Sequence, residues 1–239
     1  MNLPIRTIAW FSCGAASAIA AKLALQWETP DTIVARCVLD NEHPDNSRFA
    51  VDVATWLRVD VVPLRSSRYA DCWDLWAKRR WLNGPGGALC TVEMKKRVRQ
   101  DFSRPDDVHV FGFTVEEAHR ADRFHLNNPE ISARYPLIEQ RMSKKRCFEM
   151  IQDAGIDLPE MYRLGYHNAN CVGCVKGGAG YWNKIRRDFP DTFNRMAQLE
   201  TDIGASCIKG QPLKLLPLHT GRHEDLELPD CGLFCGENA

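Results

Sequence analysis

Short apolar runs alternate with segments of helical spacing along the first part of the chain. The apolar run at residues 5–11 predicts a buried strand, and the small-residue segment 12–17 after it opens an Ala- and Leu-rich helix. Runs rich in β-branched residues at 32–39 and 59–64 predict two more strands, and the apolar spacing over 46–57 predicts a helix between them. Alternation of this kind is typical of parallel strands joined by right-handed crossovers.

The same alternation continues through the middle of the chain. Helices are predicted over 68–81 and 91–102, a strand over 108–113, and a further helix over 116–124. We therefore expect residues 1–139 to form a doubly wound α/β domain with a mainly parallel sheet.

The pattern changes after Pro136. Helices are predicted over 143–154, 181–188 and 191–203. A segment rich in Gly, Asn and Cys, 165–180, separates the first two of these helices and is predicted to be a loop. Residues 140–239 are accordingly expected to form a helical, Cys-rich C-terminal extension.

The composition excludes several classes of protein. The 239 residues include 31 basic and 31 acidic side chains, so the formal net charge is zero and gives no overall reason to bind nucleic acid or an anionic membrane. Arg6 and Lys22 interrupt the most apolar N-terminal stretch, so no run reaches the roughly 18 to 20 residues of a membrane helix. No signal-peptide cleavage pattern follows that stretch. We expect a soluble, cytoplasmic protein with no membrane partner.

Ten cysteines are more than an ordinary core requires, and two of them are closely spaced. Without an export signal the compartment is expected to be reducing, where a Cys-x-x-Cys motif favours metal binding or redox chemistry over a structural disulfide. Cys171 and Cys174 form such a motif in a Gly-rich segment. Two thiolates at this spacing bind one metal ion or cluster, which needs three or four ligands, or form a redox pair.

Further ligands must come from other cysteines. Cys90 follows the flexible segment 84–87 and precedes the basic run 95–99, a setting that lowers a thiol pKa. Cys231 and Cys235 lie near the C-terminus, where a thiol can move into and out of a site.

The remaining cysteines carry weaker signals. Cys37 lies in a β pattern and Cys147 in a helical one, and both are interpreted as small buried apolar residues. Cys72 and Cys207 have no supporting context in the sequence.

The junction of the first strand and helix is a candidate anion site. Free backbone N–H groups and the positive end of the helix dipole favour a phosphate there, and small side chains let it approach the backbone. Ser12 and Ser17 add hydroxyl groups. The alternative is a tight turn with a serine cap, and the segment is not a Walker loop because no Gly-Lys-Ser/Thr follows.

Two other segments follow predicted strands and are expected at the same edge of the sheet. Residues 40–45 follow the second strand, where they form either one wall of a nucleoside crevice or a polar loop. Arg120 and Arg123 follow the fourth strand and are suited to clamping phosphate or sulfate.

Taken in order, these residues resemble the PAPS reductase family of the adenine nucleotide alpha-hydrolase-like superfamily, whose members have a modified phosphate loop. The matching segments are Ser12-Cys13-Gly14-Ala15-Ala16-Ser17, Asp40-Asn41-Glu42-His43-Pro44, Cys90-Thr91 with Lys95, Gly112 to Arg120, Asn170-Cys171-Val172-Gly173-Cys174, and Cys231-Gly232-Leu233. The resemblance spans nearly the whole chain, and the ordered combination is far more specific than any single motif.

The resemblance implies an enzyme that binds an adenylylated sulfur nucleotide and reduces its sulfur group. The nucleotide would be bound by Ser12, Cys13, Gly14, Ala15, Ser17, Asp40, Lys95, Arg120 and Arg123. A four-iron, four-sulfur cluster, or zinc as an alternative, would be held by Cys90, Cys171, Cys174 and Cys235. Cys231 would attack the sulfur, and a thioredoxin-like donor would resolve the product.

Three positions depart from the family pattern. Ala16 stands where relatives that split ATP have Asp, which disfavours ATP pyrophosphatase activity. Leu89-Cys90 stands where cluster-bearing reductases have two consecutive cysteines, so one ligand must be replaced or absent. Cys235 is an additional tail thiol, suited to be the fourth ligand or to exchange roles with Cys231.

Two other functions remain open at this point. One is an ATP-dependent sulfur transferase acting on tRNA or DNA, in which three cysteines hold a cluster with an open iron; only this alternative calls for a nucleic-acid partner. The other is a non-enzymatic nucleotide sensor with a structural zinc ion.

Overall fold

The computed structural model describes residues 5–27, 31–84, 87–169 and 171–221. The strands are β1 (Thr7–Trp10), β2 (Thr32–Cys37), β3 (Val61–Leu64), β4 (Asn83–Gly84), β5 (Gly87–Ala88), β6 (Val108–Val110) and β7 (Ser132–Arg134). The α-helices are α1 (Ala15–Leu25), α2 (Asp45–Leu57), α3 (Cys72–Arg79), α4 (Arg97–Phe102), α5 (Ala118–Asn127), α6 (Pro136–Glu139), α7 (Lys144–Asp153), α8 (Glu160–Arg163), α9 (Ala179–Asp188) and α10 (Pro190–Ile203). A π-helix covers Thr91–Lys96, and 3₁₀ turns cover Val115–Glu117 and Leu213–Leu215.

Five of these strands form one parallel sheet in the order β3-β2-β1-β6-β7. The central strand β1 is buried along its whole length, and Ile8 lies opposite Ile33 on one side and His109 on the other. Burial on both faces explains why β1 has a continuous apolar run rather than an alternating one. The predicted α/β class and parallel sheet are confirmed, and the alternation of strands and helices is consistent with a doubly wound fold.

Several elements differ from their predicted bounds. Strand β7 was not predicted because its sequence, Ser-Ala-Arg, has no apolar periodicity. The helix predicted over 68–81 begins only at Cys72, because Asp71 caps it by accepting a hydrogen bond from the Asp74 N–H at 2.7 Å. The helix predicted over 91–102 is a π-helix that continues as α4.

The chain groups into two compact units. The described residues of the first unit come from 1–38, 44–64 and 99–163 and include the entire five-stranded sheet. Those of the second come from 39–43, 65–98 and 164–239 and include the short antiparallel pair of β4 and β5. The division into domains after residue 139, with a Cys-rich extension beyond it, remains a prediction.

Small residues in α1 allow close packing in the first unit. Helix α1 is rich in alanine and packs against β1 and α7. Phe11, Phe49 and Ile151 are buried in the same core.

Aromatic side chains form the core of the second unit. Trp182 on α9 is fully buried, with ring centroids 5.7 Å from Tyr181 and 6.3 Å from Phe193 on α10. In the part of the chain that the structure describes, no helix combines the length and the apolar character that crossing a membrane requires.

His109 is a neutral histidine inside the first unit. The Trp10 Nε1–H donates a hydrogen bond to its Nδ1 at 2.9 Å, and the ring stacks against Trp10 and Phe111. Burial lowers the pKa of His109 to about 4; the positive charge of Arg99 adds to this effect, and Asp107 opposes it.

Acid should therefore destabilise the protein through His109. The folded imidazole has a pKa of about 4 against an ordinary 6.5, so its contribution is fully present above pH 6.5 and is lost as the pH falls toward 4. We expect the free energy of unfolding, measured in urea, to fall by about 2 kcal/mol from this residue between about pH 7.5 and pH 5. A His109→Gln variant keeps an acceptor for Trp10 and should lose this part of the pH dependence. Equal pH dependence in the two proteins would contradict the assignment.

Candidate functional site

The loop between β1 and α1 is held together by the hydroxyl of Ser17. That oxygen accepts hydrogen bonds from the Ser12 N–H at 3.1 Å and from the Ser12 hydroxyl at 3.2 Å, and it donates to the Gly14 carbonyl at 2.8 Å. Cys13 adopts a left-handed conformation, with φ of 60°, and its thiol donates to the carbonyl of Asn46 at 3.5 Å. The side chain of Cys13 thus points into the core, and the loop offers mainly backbone and hydroxyl groups.

Two glycines keep this loop free of bulk. Gly14 is the N-cap residue of α1 and supplies no side-chain cap, and a Cβ at this position would lie 3.2 Å from the Tyr162 hydroxyl. A Cβ at Gly112, just beyond β6, would lie only 2.6 Å from the Cα of Ser17. The N-terminus of α1 therefore has the small side chains and the positive dipole end that suit a phosphate. Ser12, Cys13, Gly14, Ala15 and Ser17 lie together there, and nucleotide binding remains a prediction.

Arg120 lies near the start of α5 and is already engaged. It forms an ion pair with Glu117, and its guanidinium lies 4.5 Å from the centroid of the Phe113 ring. Glu117 in turn completes a capping box with Thr114. Arg123, one turn further along α5, is exposed. An anion that binds Arg120 must therefore displace the carboxylate of Glu117 or share the guanidinium with it.

Asp40 and Lys95, also expected to bind nucleotide, lie in the second unit. Asp40 is exposed and pairs with Arg65 at 2.8 Å. Lys95 is buried, with its Nζ 3.9 Å from a carboxylate oxygen of Glu42, and its charge acts on the thiol of Cys72. The positive charge of Lys95 therefore acts on a cysteine of the second unit.

Five cysteines of the second unit form what we call the thiol group: Cys72, Cys90, Cys171, Cys174 and Cys207. The thiols of Cys72 and Cys90 are hydrogen-bonded, and the charge of Cys171 acts on Cys72. Cys207 interacts electrostatically with Cys90, and Cys174 shares a turn with Cys171. Cysteines from four separate chain segments are therefore associated.

Two thiols of this group, those of Cys72 and Cys207, have raised pKa values. Hydrogen bonding to Cys90, followed by burial, raises the pKa of Cys72 well above its ordinary value, and the charge of Lys95 opposes the rise. Burial, followed by the negative charge of Glu200, raises the pKa of Cys207. A metal that binds here must displace thiol protons.

The turn that carries Cys171 and Cys174 is fixed by Tyr181. The buried hydroxyl of Tyr181 accepts a hydrogen bond from the Cys174 N–H at 2.8 Å and donates one to the Cys171 carbonyl at 3.1 Å. Gly173 between them has φ of 77°, and a Cβ there would lie 2.7 Å from Thr192. Glycine is required at this position because the backbone is left-handed and the space is filled.

The thiol group consists of cysteines, the residue type whose thiolates hold iron–sulfur clusters. Such clusters are held by cysteine thiolates, commonly from a closely spaced pair and more distant residues. Among the residues that the structure describes, no three His, Cys, Asp or Glu side chains are arranged to hold a single metal ion. The ligands of a cubane cluster, by contrast, attach to separate iron atoms.

Three of the predicted cluster ligands belong to the thiol group, and its other two members were not among the predicted ligands. Cys90, Cys171 and Cys174 were predicted, whereas Cys72 and Cys207 were not. One signal for Cys72 was available: it is the first residue of α3, a position that favours a thiolate. We found no sequence signal for Cys207.

Besides Cys13, four other cysteines lie outside the thiol group, and they divide into two sets. Cys37 and Cys147 lie in the first unit and are buried, as expected, and burial raises the pKa of Cys147 to about 12. Cys231 and Cys235 lie outside the described residues. Their predicted roles as nucleophile and ligand remain predictions.

No protein-family model matches this chain, and no curated protein matches it at a significant level of similarity. The family resemblance therefore depends on the motifs themselves.

Loss of the Tyr181 hydroxyl should loosen the Cys-x-x-Cys turn. In Tyr181→Phe, the Cys174 N–H loses this acceptor and the Cys171 carbonyl loses this donor, at a cost of about 1–3 kcal/mol. We expect exchange of the Cys174 amide hydrogen, measured by NMR or mass spectrometry, to accelerate by roughly tenfold or more.

Tyr166→Phe is the matched control. It also removes a hydroxyl of a buried tyrosine, but that hydroxyl donates to Asp188 at 3.0 Å rather than to the turn. Exchange at Cys174 should be unchanged in this variant. Equal exchange rates in Tyr181→Phe and the unaltered protein would refute the role of the hydroxyl.

Proposed function

We propose that this protein is a sulfonucleotide reductase-like iron–sulfur enzyme, which binds an adenine nucleotide at residues 12–17 and reduces its sulfur group. The observation that carries the proposal is the thiol group, in which Cys72 interacts with both Cys90 and Cys171. Cysteines from two motifs that are distant in the sequence, both expected to bind a cluster, thus share one buried neighbour.

The surroundings of the thiol group support a cluster there. Cys171 and Cys174 are buried in a turn whose backbone is fixed by Tyr181, and Cys90 is half-buried at the start of the π-helix. These three cysteines would hold the cluster; Cys235, predicted from the sequence as a fourth ligand, lies outside the described residues. A bound four-iron, four-sulfur cluster would supply an electron-transfer group and would cross-link the segments that carry its ligands.

The first unit supports nucleotide binding through its own geometry. The N-terminus of α1 carries no side-chain cap, and the hydroxyls of Ser12 and Ser17 line the same loop. A phosphate there would accept hydrogen bonds from backbone N–H groups, and the helix dipole would favour its negative charge. Arg120, held by Glu117, would neutralise part of the negative charge of the substrate.

In the proposed reaction, the thiol of Cys231 takes up the sulfonate group of the substrate. The thiolate of Cys231 attacks the sulfur of the bound sulfonucleotide, so that a sulfur–sulfur bond forms, the sulfur–oxygen bond to phosphate breaks and the adenosine phosphate leaves. One thiol of a thioredoxin-like donor then attacks the sulfur of Cys231. Sulfite leaves, and the second thiol of the donor releases Cys231 as a thiolate. The donor loses two electrons as it becomes a disulfide, and sulfate-level sulfur is reduced to sulfite.

A covalent adduct on Cys231 tests this reaction. Protein purified without oxygen should, after incubation with adenosine phosphosulfate or its 3′-phosphorylated form, gain the mass of one sulfite group on Cys231 in mass spectrometry. Cys231→Ser should lose the adduct and turnover while it retains nucleotide binding and iron. Bound substrate with no adduct on Cys231 or Cys235 would exclude the reductase mechanism.

A bulky side chain at position 14 should weaken nucleotide binding. A valine there brings its Cβ within 3.2 Å of the Tyr162 hydroxyl and adds methyl groups where a phosphate must approach the backbone. We expect calorimetry to show adenine-nucleotide binding at least about tenfold weaker, or ~1.4 kcal/mol.

Gly178→Val is the control for this measurement. Gly178 is also the N-cap residue of a helix, α9, but a Cβ there meets nothing within 4 Å, so nucleotide affinity should be unchanged. Absence of any adenine-nucleotide binding by the unaltered protein near millimolar concentration would reject the nucleotide site. Rapid release of pyrophosphate from ATP would instead favour the ATP-dependent sulfur transferase.

A further inference from the structure

One buried amide residue holds Cys72 beside the Cys-x-x-Cys turn. The side-chain oxygen of Asn41 accepts a hydrogen bond from the Cys72 N–H at 3.1 Å, and its backbone carbonyl accepts one from the Val172 N–H at 2.8 Å. Glu42, the next residue, forms a β-bridge with Cys171. The start of α3 is thus attached to Asn41, and the start of the turn to Asn41 and Glu42.

The thiol of Cys72 faces two of the predicted ligands. It is hydrogen-bonded to the thiol of Cys90, and the charge of Cys171 acts on it. Cys72 is almost completely buried, with 1% of its surface exposed, so its thiol has these sulfur neighbours in place of water.

Two features near the thiol of Cys72 favour its thiolate against the Cys90 hydrogen bond and the burial that raise its pKa. Cys72 is the first residue of α3, where the helix dipole favours negative charge, and the side chain of Lys95 contributes a positive charge nearby. Lys95 is itself held near Glu42, with 3.9 Å between Nζ and a carboxylate oxygen.

Cys207 has opposite surroundings. Its thiol is hydrogen-bonded to Glu200, and its N–H donates to the same carboxylate at 2.6 Å. Glu200 is buried and also accepts from the Leu213 N–H at 2.6 Å. A thiolate at Cys207 would lie against this carboxylate, which favours the protonated form.

We propose that Cys72 is the fourth thiolate ligand of a four-iron, four-sulfur cluster that Cys90, Cys171 and Cys174 also hold, and that Cys207 is not a ligand. The inference rests on the iron–sulfur site of the proposed function. Cys72 would replace the cysteine that cluster-bearing reductases have at the position of Leu89. Cys235 would then be available as a second thiol near the C-terminus.

Alanine at Cys72 and at Cys207 provides a matched test. Both cysteines are buried members of the thiol group, so each substitution removes one buried sulfur. The full chain is purified and reconstituted without oxygen, and iron and acid-labile sulfide are measured together with the electron paramagnetic resonance spectrum. We expect about four irons per chain in the unaltered protein and in Cys207→Ala. Cys72→Ala should hold about three or fewer, with a three-iron signal after oxidation.

A second variant guards against simple misfolding. Circular dichroism of the apoproteins reports the fold, and Cys72→Ser, which keeps the size of the side chain, should retain the fold but lose iron or show an altered resonance spectrum. Unchanged iron and spectrum in both Cys72 variants would overturn the inference, as would equal loss in Cys72→Ala and Cys207→Ala. A Cys72–Cys90 disulfide in the anaerobic protein, or no iron and sulfide in the reconstituted unaltered protein, would also overturn it.

Failure of the reductase reaction would leave a distinct result. A protein that forms no sulfite adduct, yet loses iron only when Cys72 and not Cys207 is replaced, would refute the proposed reaction and support the ligand assignment.

Discussion

The hydroxyl of Tyr181 is the interaction on which the chemistry of the second unit depends. It joins the two ends of the Cys-x-x-Cys turn, because it accepts from the Cys174 N–H and donates to the Cys171 carbonyl. The ring that carries it is fully buried against Trp182 and Tyr166, so the hydroxyl cannot move without disturbing the aromatic core. The aromatic core therefore helps to order the turn.

Burial of the thiols disfavours their charged form, and binding of a metal would offset this effect. Hydrogen bonding to Cys90 and burial raise the pKa of Cys72, so both favour its neutral thiol. Binding of a thiophilic metal replaces those protons and makes the same burial favourable, since thiolate–metal bonds compensate for the lost hydration.

The sequence predicted the fold better than it predicted the neighbours of each cysteine. Apolar and β-branched runs are local properties, and they sufficed for β1, β2 and β3, whereas β7 has no such run and is held by pairing with β6. Cys171 and Cys174 were found from their spacing. Cys72 was missed because its position beside them depends on a hydrogen bond to Asn41, 31 residues earlier in the chain, which no local pattern encodes.

The backbone around the thiols also constrains the electronic properties of any cluster bound there. The N–H groups of Cys72 and Val172 donate to Asn41, and that of Cys174 donates to Tyr181. Hydrogen bonds from amides to cluster sulfurs are one of the factors that set reduction potential, and these three amides are committed to oxygen acceptors. A cluster held as proposed would therefore depend more on burial and on the charge of Lys95 than on amide hydrogen bonds from these residues. The charge of Lys95 comes from a side chain, so a single substitution can remove it.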